Sequence, residues 1–385
     1  MSALPPRVLD LQGSPRERGL QHGSQLADGI QAMLKSWRGH VGPRRFPQAE
    51  YLARFSQSHR FLAAMQAHAP QLVAELEGIA TGAGVPFQAI LDLQLLDEEW
   101  WYRHAYAGGI DPAAHHCSAL AGRTPDGKVV VAQNFDGVSW MAGQQCLFRH
   151  RDPGSGLDAL VFSLPGMLAL NGVNAAGVAV CVNSLVQLDG SLSGLPVMAM
   201  IRLLLESRDF PAARRMLEDL PHASGQNYVI GDRHAFGAFE ASAVSVRECP
   251  GAAAGRPVWH TNHPLVNPDQ SIHARATATW SAGRIEATSA NSSARMSCLA
   301  RHLADRATIT VDSIKQLLSS REDAMHPLSR VLGAGGTDQV IDYTAACTIH
   351  ELGERVVMHY APGPPCSTPF WSIDVGKAGT TCKPS

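Results

Sequence analysis

The sequence predicts an α+β protein, with helices packed outside stacked antiparallel sheets and a helical first segment ahead of them. Three observations carry that expectation. Up to about residue 106, apolar side chains recur near helical spacing behind capping residues and prolines. After Cys117 the pattern changes to short Val-, Leu- and Phe-rich runs separated by Gly/Asn turns. Further on, helical stretches are grouped between runs of strands.

In chain order, Ser14-Pro15-Arg16-Glu17 reads as a capping box with proline at the first helical position. Ser14 can accept from a free N–H three residues on, and Glu17 can reach back to the cap. Leu20, Leu26, Ile30, Met33, Leu34 and Trp37 follow near helical spacing. Further helices are expected over 48–68, 70–81 and 86–104, the last two starting at prolines, with Gly82 and Gly84 breaking the chain between them. Residues 107–114, Ala-Gly-Gly-Ile-Asp-Pro-Ala-Ala, read as a flexible linker to His115-His116-Cys117. Strands are expected over 128–135 after the turn Thr124-Pro125-Asp126-Gly127, then over 157–164, 167–173 and 178–183. Helices follow at 196–208 and 211–220, and a meander over 227–230, 235–240 and 244–248. The last part reads as helices over 270–286, 292–304 and 311–319, then strands 345–350 and 355–360 about the turn Glu351-Leu352-Gly353-Glu354.

Composition bounds the function. At 385 residues the chain suits two domains or one large layered domain. With 17% charged residues and a formal net charge of −2, it has no electrostatic footprint for nucleic acid or an anionic membrane. The start Met1-Ser2-Ala3-Leu4-Pro5-Pro6-Arg7 carries no apolar run, so a cytoplasmic location is expected. The stretch 159–188 has no charge, but Pro165, Gly166, Asn171, Gly172, Asn174, Gly177 and Asn183 cut it into pieces that suit buried strands and not a span. None of the eight cysteines forms a CxxC pair, and Cys181 and Cys347 sit in apolar runs as small core residues.

Cys117 stands apart through its neighbourhood. A thiol just ahead of one strand, with Asn134 and Asp136 at the end of the next, places a nucleophile and orienting groups on adjacent strands. A free thiol is mostly protonated at neutral pH and needs a base. A cysteine at a chain terminus has its own base, since an α-amine has a reference pKa of roughly 7.7 to 8.0.

The motifs Arg18-Gly19-Leu20-Gln21-His22-Gly23, Glu75-Leu76-Glu77-Gly78-Ile79-Ala80-Thr81-Gly82, Pro165-Gly166-Met167, Asn171-Gly172-Val173-Asn174, His260-Thr261-Asn262-His263 and Ser292-Ser293-Ala294-Arg295 occur in order over nearly the whole chain. With His115-His116-Cys117 and Asn183-Ser184, they make it similar to the acyl-coenzyme A:isopenicillin N (6-aminopenicillanate) acyltransferase family of cysteine amidohydrolases. The resemblance implies an N-terminal-nucleophile (Ntn) hydrolase fold, a four-layer αββα sandwich with an N-terminal helical segment. It implies a precursor cut between His116 and Cys117, with 1–116 as an α subunit that stays bound to the catalytic core 117–385. Cys117 would be nucleophile and, through its new amine, base. Asp136 would position amine and thiol, Asn134 is the neighbouring polar residue, and Asn262 would bind the oxyanion. Asn183 matches an asparagine near the nucleophile, and Arg295 an arginine of the related bile-salt hydrolases. His116 departs from the pattern, which often has a small or acidic residue there.

The implied activity is hydrolysis of a small N-acyl or β-aminoacyl amide through a thioester on Cys117, without metal or cofactor. The alternatives are transfer of the acyl group to an amine of β-lactam type, and a non-catalytic sensor on the same fold. A papain-like protease would want its Cys and His in another order of elements. Expected partners are a small-molecule substrate and the other half of the cut precursor, with no nucleic acid and no membrane. Each residue also has a plainer reading. Asp136 before Gly137 makes a turn, Asn262 bonds its own loop, His260 and His263 are surface or core histidines, and Arg295 is a surface charge on a helix. Asp97-Glu98-Glu99-Trp100-Trp101 offers carboxylates and rings to a cationic substrate, or ends a helix with one solvated and one packed face.

Overall fold

A computed structural model describes residues 6–43, 46–106, 116–151, 156–333 and 342–376, with the backbone of 383–384. The linker expected at 107–114 lies outside the described residues, as do His115 and Cys382. The chain opens with strand β1 (Val8–Gln12), then α1 (Pro15–Gln25), α2 (Ala27–His40), α3 (Gln48–Ser58), α4 (Phe61–His68), α5 (Pro70–Ala83), α6 (Phe87–Leu93) and α7 (Leu96–Tyr106). Strands β2 (Ser118–Arg123), β3 (Val129–Val138), β4 (Cys146–Arg151), β5 (Ala159–Ser163), β6 (Asn171–Asn174) and β7 (Ala179–Ser184) follow, then α8 (Val197–Leu204) and α9 (Phe210–Asp219). Next come β8 (Gln226–Gly231), β9 (Phe236–Ala241), β10 (Val246–Glu248), β11 (Val258–His260), α10 (Ser271–Ala276), α11 (Ala282–Leu303) and α12 (Val311–Leu318). The chain closes with β12 (Asp342–Leu352), β13 (Val356–Ala361), β14 (Trp371–Asp374) and β15 (Lys383–Pro384).

The strands form two sheets, in the orders β1-β4-β5-β6-β7-β8-β9-β10 and β11-β2-β3-β12-β13-β14-β15. Among the described strands every pairing is antiparallel except β1 on β4. Ala119, Ala121, Val129 and Val131 of the seven-stranded sheet pack with Val180 and Val229 of the eight-stranded one. Gln133 of β3 ties the layers, donating to the carbonyl of Val182 and accepting from Asn171 at 2.9 Å. Alternate residues Leu120, Val130 and Ala132 face the other way, under Leu299, Leu303 and Ile314 of α11 and α12. Helices of the first segment, with α8 and α9, cover the eight-stranded sheet. The result is the expected sequence of layers, helix–sheet–sheet–helix.

Local signals explain most boundaries. Ser14 caps α1 in a complete capping box with Pro15 at the first position, as read from sequence. The expected helices 48–68 and 86–104 are each split in two, at His59–Arg60 and at Gln94–Leu95. Gln94 accounts for the second break. It is fully buried, donates to the carbonyls of Ile90 and Gly166, and accepts from Leu168 N at 2.9 Å, so it fastens the helix to the eight-stranded sheet.

The first segment is not only helical. Strand β1 joins the edge of the eight-stranded sheet, so residues before Cys117 share one core with those after it. The uncharged stretch 159–188 forms the buried strands β5 to β7, and no helix among the described residues is long and apolar enough to cross a membrane.

Candidate active site

Cys117 lies at the mouth of β2, where Ser118 pairs in register with Asn134 of β3, and it belongs to the core between the sheets. Only 4% of it is exposed. Burial pushes its thiol up to about 12, with the Asp136 charge adding to the rise. A hydrogen bond from the Asp136 backbone works the other way, and the charge of Asp97 again raises it. This thiol is therefore protonated at neutral pH.

Asp136 is wholly buried on β3. Its Oδ1 accepts from Thr344 Oγ1 at 2.7 Å, while Oδ2 accepts no hydrogen bond among the described residues. Burial pushes its carboxyl up to about 7 against the pull of Arg295 and Arg330.

Arg295 assembles the centre. Its Nη1 donates to the Cys117 carbonyl at 2.6 Å and to Ser118 Oγ at 2.8 Å, Nη2 to Asn262 Oδ1 at 2.9 Å, and Nε to Asn291 Oδ1 at 2.8 Å. The side chain is 0% exposed, which overturns the reading of a surface charge. Burial lowers its guanidinium to about 10, with Asp136 opposing, so it remains a cation at neutral pH.

Asn262 reaches this centre from the loop after β11. Its Nδ2 donates to Ser184 O at 3.1 Å and has one N–H uncommitted among the described residues, and its own N–H donates to Ser292 Oγ at 2.7 Å. Asn183 sits behind it, donating to the carbonyl of His260 at 3.5 Å and accepting from Asn227 at 2.9 Å.

Asn134 is placed differently. It donates to the carbonyls of Leu318 and Leu328, both at 2.8 Å, on the side of β3 covered by α12. It fastens the strand to that layer, while Cys117 faces the space between the sheets.

His260 and His263 do not converge on one point. His260 Nε2 meets Glu240 Oε1 at 2.8 Å and Nδ1 meets Thr261 O at 2.8 Å, whereas His263 bonds Ser292. The donor atoms of Glu240, Cys249 and His260 lie within 4.8 Å of one another. Yet both ring nitrogens of His260 face acceptors, and Glu240 already accepts from the N–H groups of Leu265, Val266 and Asn267. That network braces the loop carrying Asn262.

The acidic run on α7 turns inward. Glu98, Glu99, Trp100 and Trp101 are all buried, and of the acidic run only Asp97 keeps partial exposure. Glu98 accepts from Val197 N and Ser224 Oγ, and burial pushes it up to about 8. Half-buried Asp97 accepts from Ser184 Oγ and from Gln226 at 2.8 Å, and its charge acts on Cys117. Sequence reasoning missed Thr344, Arg330 and Asp342 around Asp136. The signal was Asp342 at the head of an apolar run, which reads as a strand end and gives no hint of its neighbours.

Residues 123–331 match the sequence profile of the acyl-coenzyme A:6-aminopenicillanic acid acyl-transferase family, a stretch that holds Asn134, Asp136, Asn183, Asn262 and Arg295 and begins after Cys117. The acyl-coenzyme A:6-aminopenicillanic-acid-acyltransferase 40 kDa form of Emericella nidulans is 28% identical over 259 residues, or 66% of this chain and 69% of that protein. A mutant of the conjugated bile acid hydrolase of Clostridium perfringens is 13% identical with a TM-score of 0.44, over 70% of this chain and 96% of that one. Penicillin V acylase from Agrobacterium tumefaciens is 16% identical with a TM-score of 0.40, over 68% and 87%.

Proposed function

This chain belongs to the acyl-coenzyme A:6-aminopenicillanic acid acyl-transferase family, and from that premise we propose that it is a self-processing cysteine amidohydrolase of the N-terminal-nucleophile type. Family membership makes it an enzyme of acyl transfer or amide hydrolysis. Cleavage before Cys117 turns residues 1–116 and 117–385 into two subunits of one enzyme. Its substrate is a small amide of N-acyl or β-aminoacyl type.

The observation that carries this reading is the pairing of Cys117 with Asp136. The thiol is too deeply buried to ionise by itself, and beside it lies a buried carboxylate with one uncommitted oxygen. A new α-amine on Cys117 answers both needs. It takes the thiol proton, and as an ammonium it is balanced by the Asp136 carboxylate.

The thiol then attacks the amide carbonyl. Charge that develops on the carbonyl oxygen meets the free N–H of Asn262, whose other side is fixed by Arg295. The ammonium returns its proton to the leaving amine, and the acyl group stays on Cys117 as a thioester. Water completes hydrolysis, and an amine in its place completes acyl transfer. The second outcome is favoured by the family description and by the name of the Emericella nidulans relative.

Intact mass and N-terminal sequencing of purified protein test the reading. Wild type should give two chains, one starting at Cys117, and Cys117→Ala should stay full-length. Active protein that remains one chain would refute it.

A further inference from the structure

We propose that Asp342 is a positioning residue for self-cleavage, gripping the His116 ring so that the His116 carbonyl is held against the Cys117 thiol. It rests on the self-processing reading above.

The residue on the acyl side of the proposed scissile bond is not idle. His116 Nδ1 lies 2.7 Å from Asp342 Oδ2, and both side chains are more than nine-tenths buried. A buried pair of this kind is costly in desolvation, and an apolar residue of similar size would be cheaper to bury. Asp342 begins β12 opposite Val138 of β3, and two residues on, Thr344 bonds Asp136. One strand thus holds both the ring of His116 and the carboxylate beside the thiol.

The other flank is held as firmly. Arg295 donates to the Cys117 carbonyl at 2.6 Å, and Ser118 enters the sheet in register with Asn134. The peptide between residues 116 and 117 is therefore fixed from both ends. Fixing a nucleophile and its target carbonyl replaces a rare encounter with a standing one, and a misplacement of about 1 Å costs on the order of 100-fold.

In the step served, the Cys117 Sγ–C bond to the His116 carbonyl carbon forms as the C–N bond to Cys117 breaks. The thiol proton ends on the released amine. Water then adds across the thioester, leaving a carboxyl group on His116 and restoring the thiol, with nothing oxidised or reduced.

The test is the rate at which freshly made precursor converts to two chains, read by denaturing gel and intact mass. Asp342→Asn and His116→Ala should each slow conversion by about 10- to 100-fold. The double variant should be no slower than the slower single one, because both remove the same contact. Asp342→Glu keeps the carboxylate and should recover part of the rate, which a purely packing role would not produce. The same changes in a Cys117→Ala background should melt close to their parent, and if Asp342→Asn does not fold, His116→Ala and Asp342→Glu decide the matter. Conversion of either single variant at the wild-type rate, or effects that multiply in the double, overturns the role of the pair while leaving self-processing intact. A wild type that never converts overturns both.

Discussion

At the scale of single residues, the centre is a balance of buried charges whose members were legible to different degrees. Asp136 and Cys117 were readable together, because a carboxylate at the end of the strand next to a thiol has a chemical meaning that each lacks alone. Arg295 was readable only through family likeness, since nothing in Ser292-Ser293-Ala294-Arg295 says which way a helix is turned. Asn134 carried the same likeness and yet bonds the backbone of the opposite layer. This balance sets the pH response. With its carboxyl raised to about 7 by burial, Asp136 is protonated on the acid side of neutrality and charged above it. The charged form is the one favoured by the nearby Arg295 charge and the one that would balance an ammonium on Cys117. Turnover of the processed enzyme should therefore rise as pH increases through about 7, in steps that belong to the coupled amine and carboxylate jointly. A pH–rate profile checks it. Activity that instead falls between pH 6 and 8 would remove Asp136 from that role.

At the scale of elements, the first segment is built on one close crossing. Gly19 and Gly23 of α1 face Gly78 and Gly82 of α5, and a Cβ on Gly19 would sit 2.0 Å from the carbonyl oxygen of Glu75. A Cβ on Gly78 would meet the carbonyl oxygen of Arg16 at 2.3 Å. Two motifs that carried the family likeness are thus a packing device, with backbone against backbone. Gly19→Ala or Gly78→Ala should destabilise the protein by at least about 1 to 3 kcal/mol, since the obstructing atoms are main chain and cannot swing aside. A denaturant melt measures it, and an unchanged midpoint would mean that the two helices separate at little cost. Caps, prolines and glycines made these helices legible in sequence, because each acts on its own neighbours. Strands β1 and β4 were not legible. Strand β4 carries Arg149 and His150 buried within it, so it lacks the alternation of apolar and polar residues that marks a strand. Its place is fixed by distant partners: Val8 to Gln12 alongside it, and Glu75 of α5 near His150.

At the scale of the whole molecule, the proposed cut at Cys117 does not follow a boundary in the architecture. One core runs through residues on both sides of it. Buried polar contacts cross it as well. Arg202 donates to Glu75 at 2.7 and 3.0 Å, Trp101 Nε1 donates to Leu188 O at 3.1 Å, and Gly166 N donates to His22 at 2.9 Å. Separating the segments would strand each of these groups without a partner, and parting β1 from β4 would open the sheet edge. The two pieces of a cut chain should accordingly stay together through purification and unfold in one transition. That transition differs from the uncut one in a measurable way. Unfolding the cut enzyme releases two chains from one folded body, so mass action favours the folded state at higher protein concentration. The denaturant midpoint of processed wild type should rise with protein concentration, while that of full-length Cys117→Ala should not. Two separate transitions, neither moving with concentration, would show instead that 1–116 and 117–385 fold as independent units.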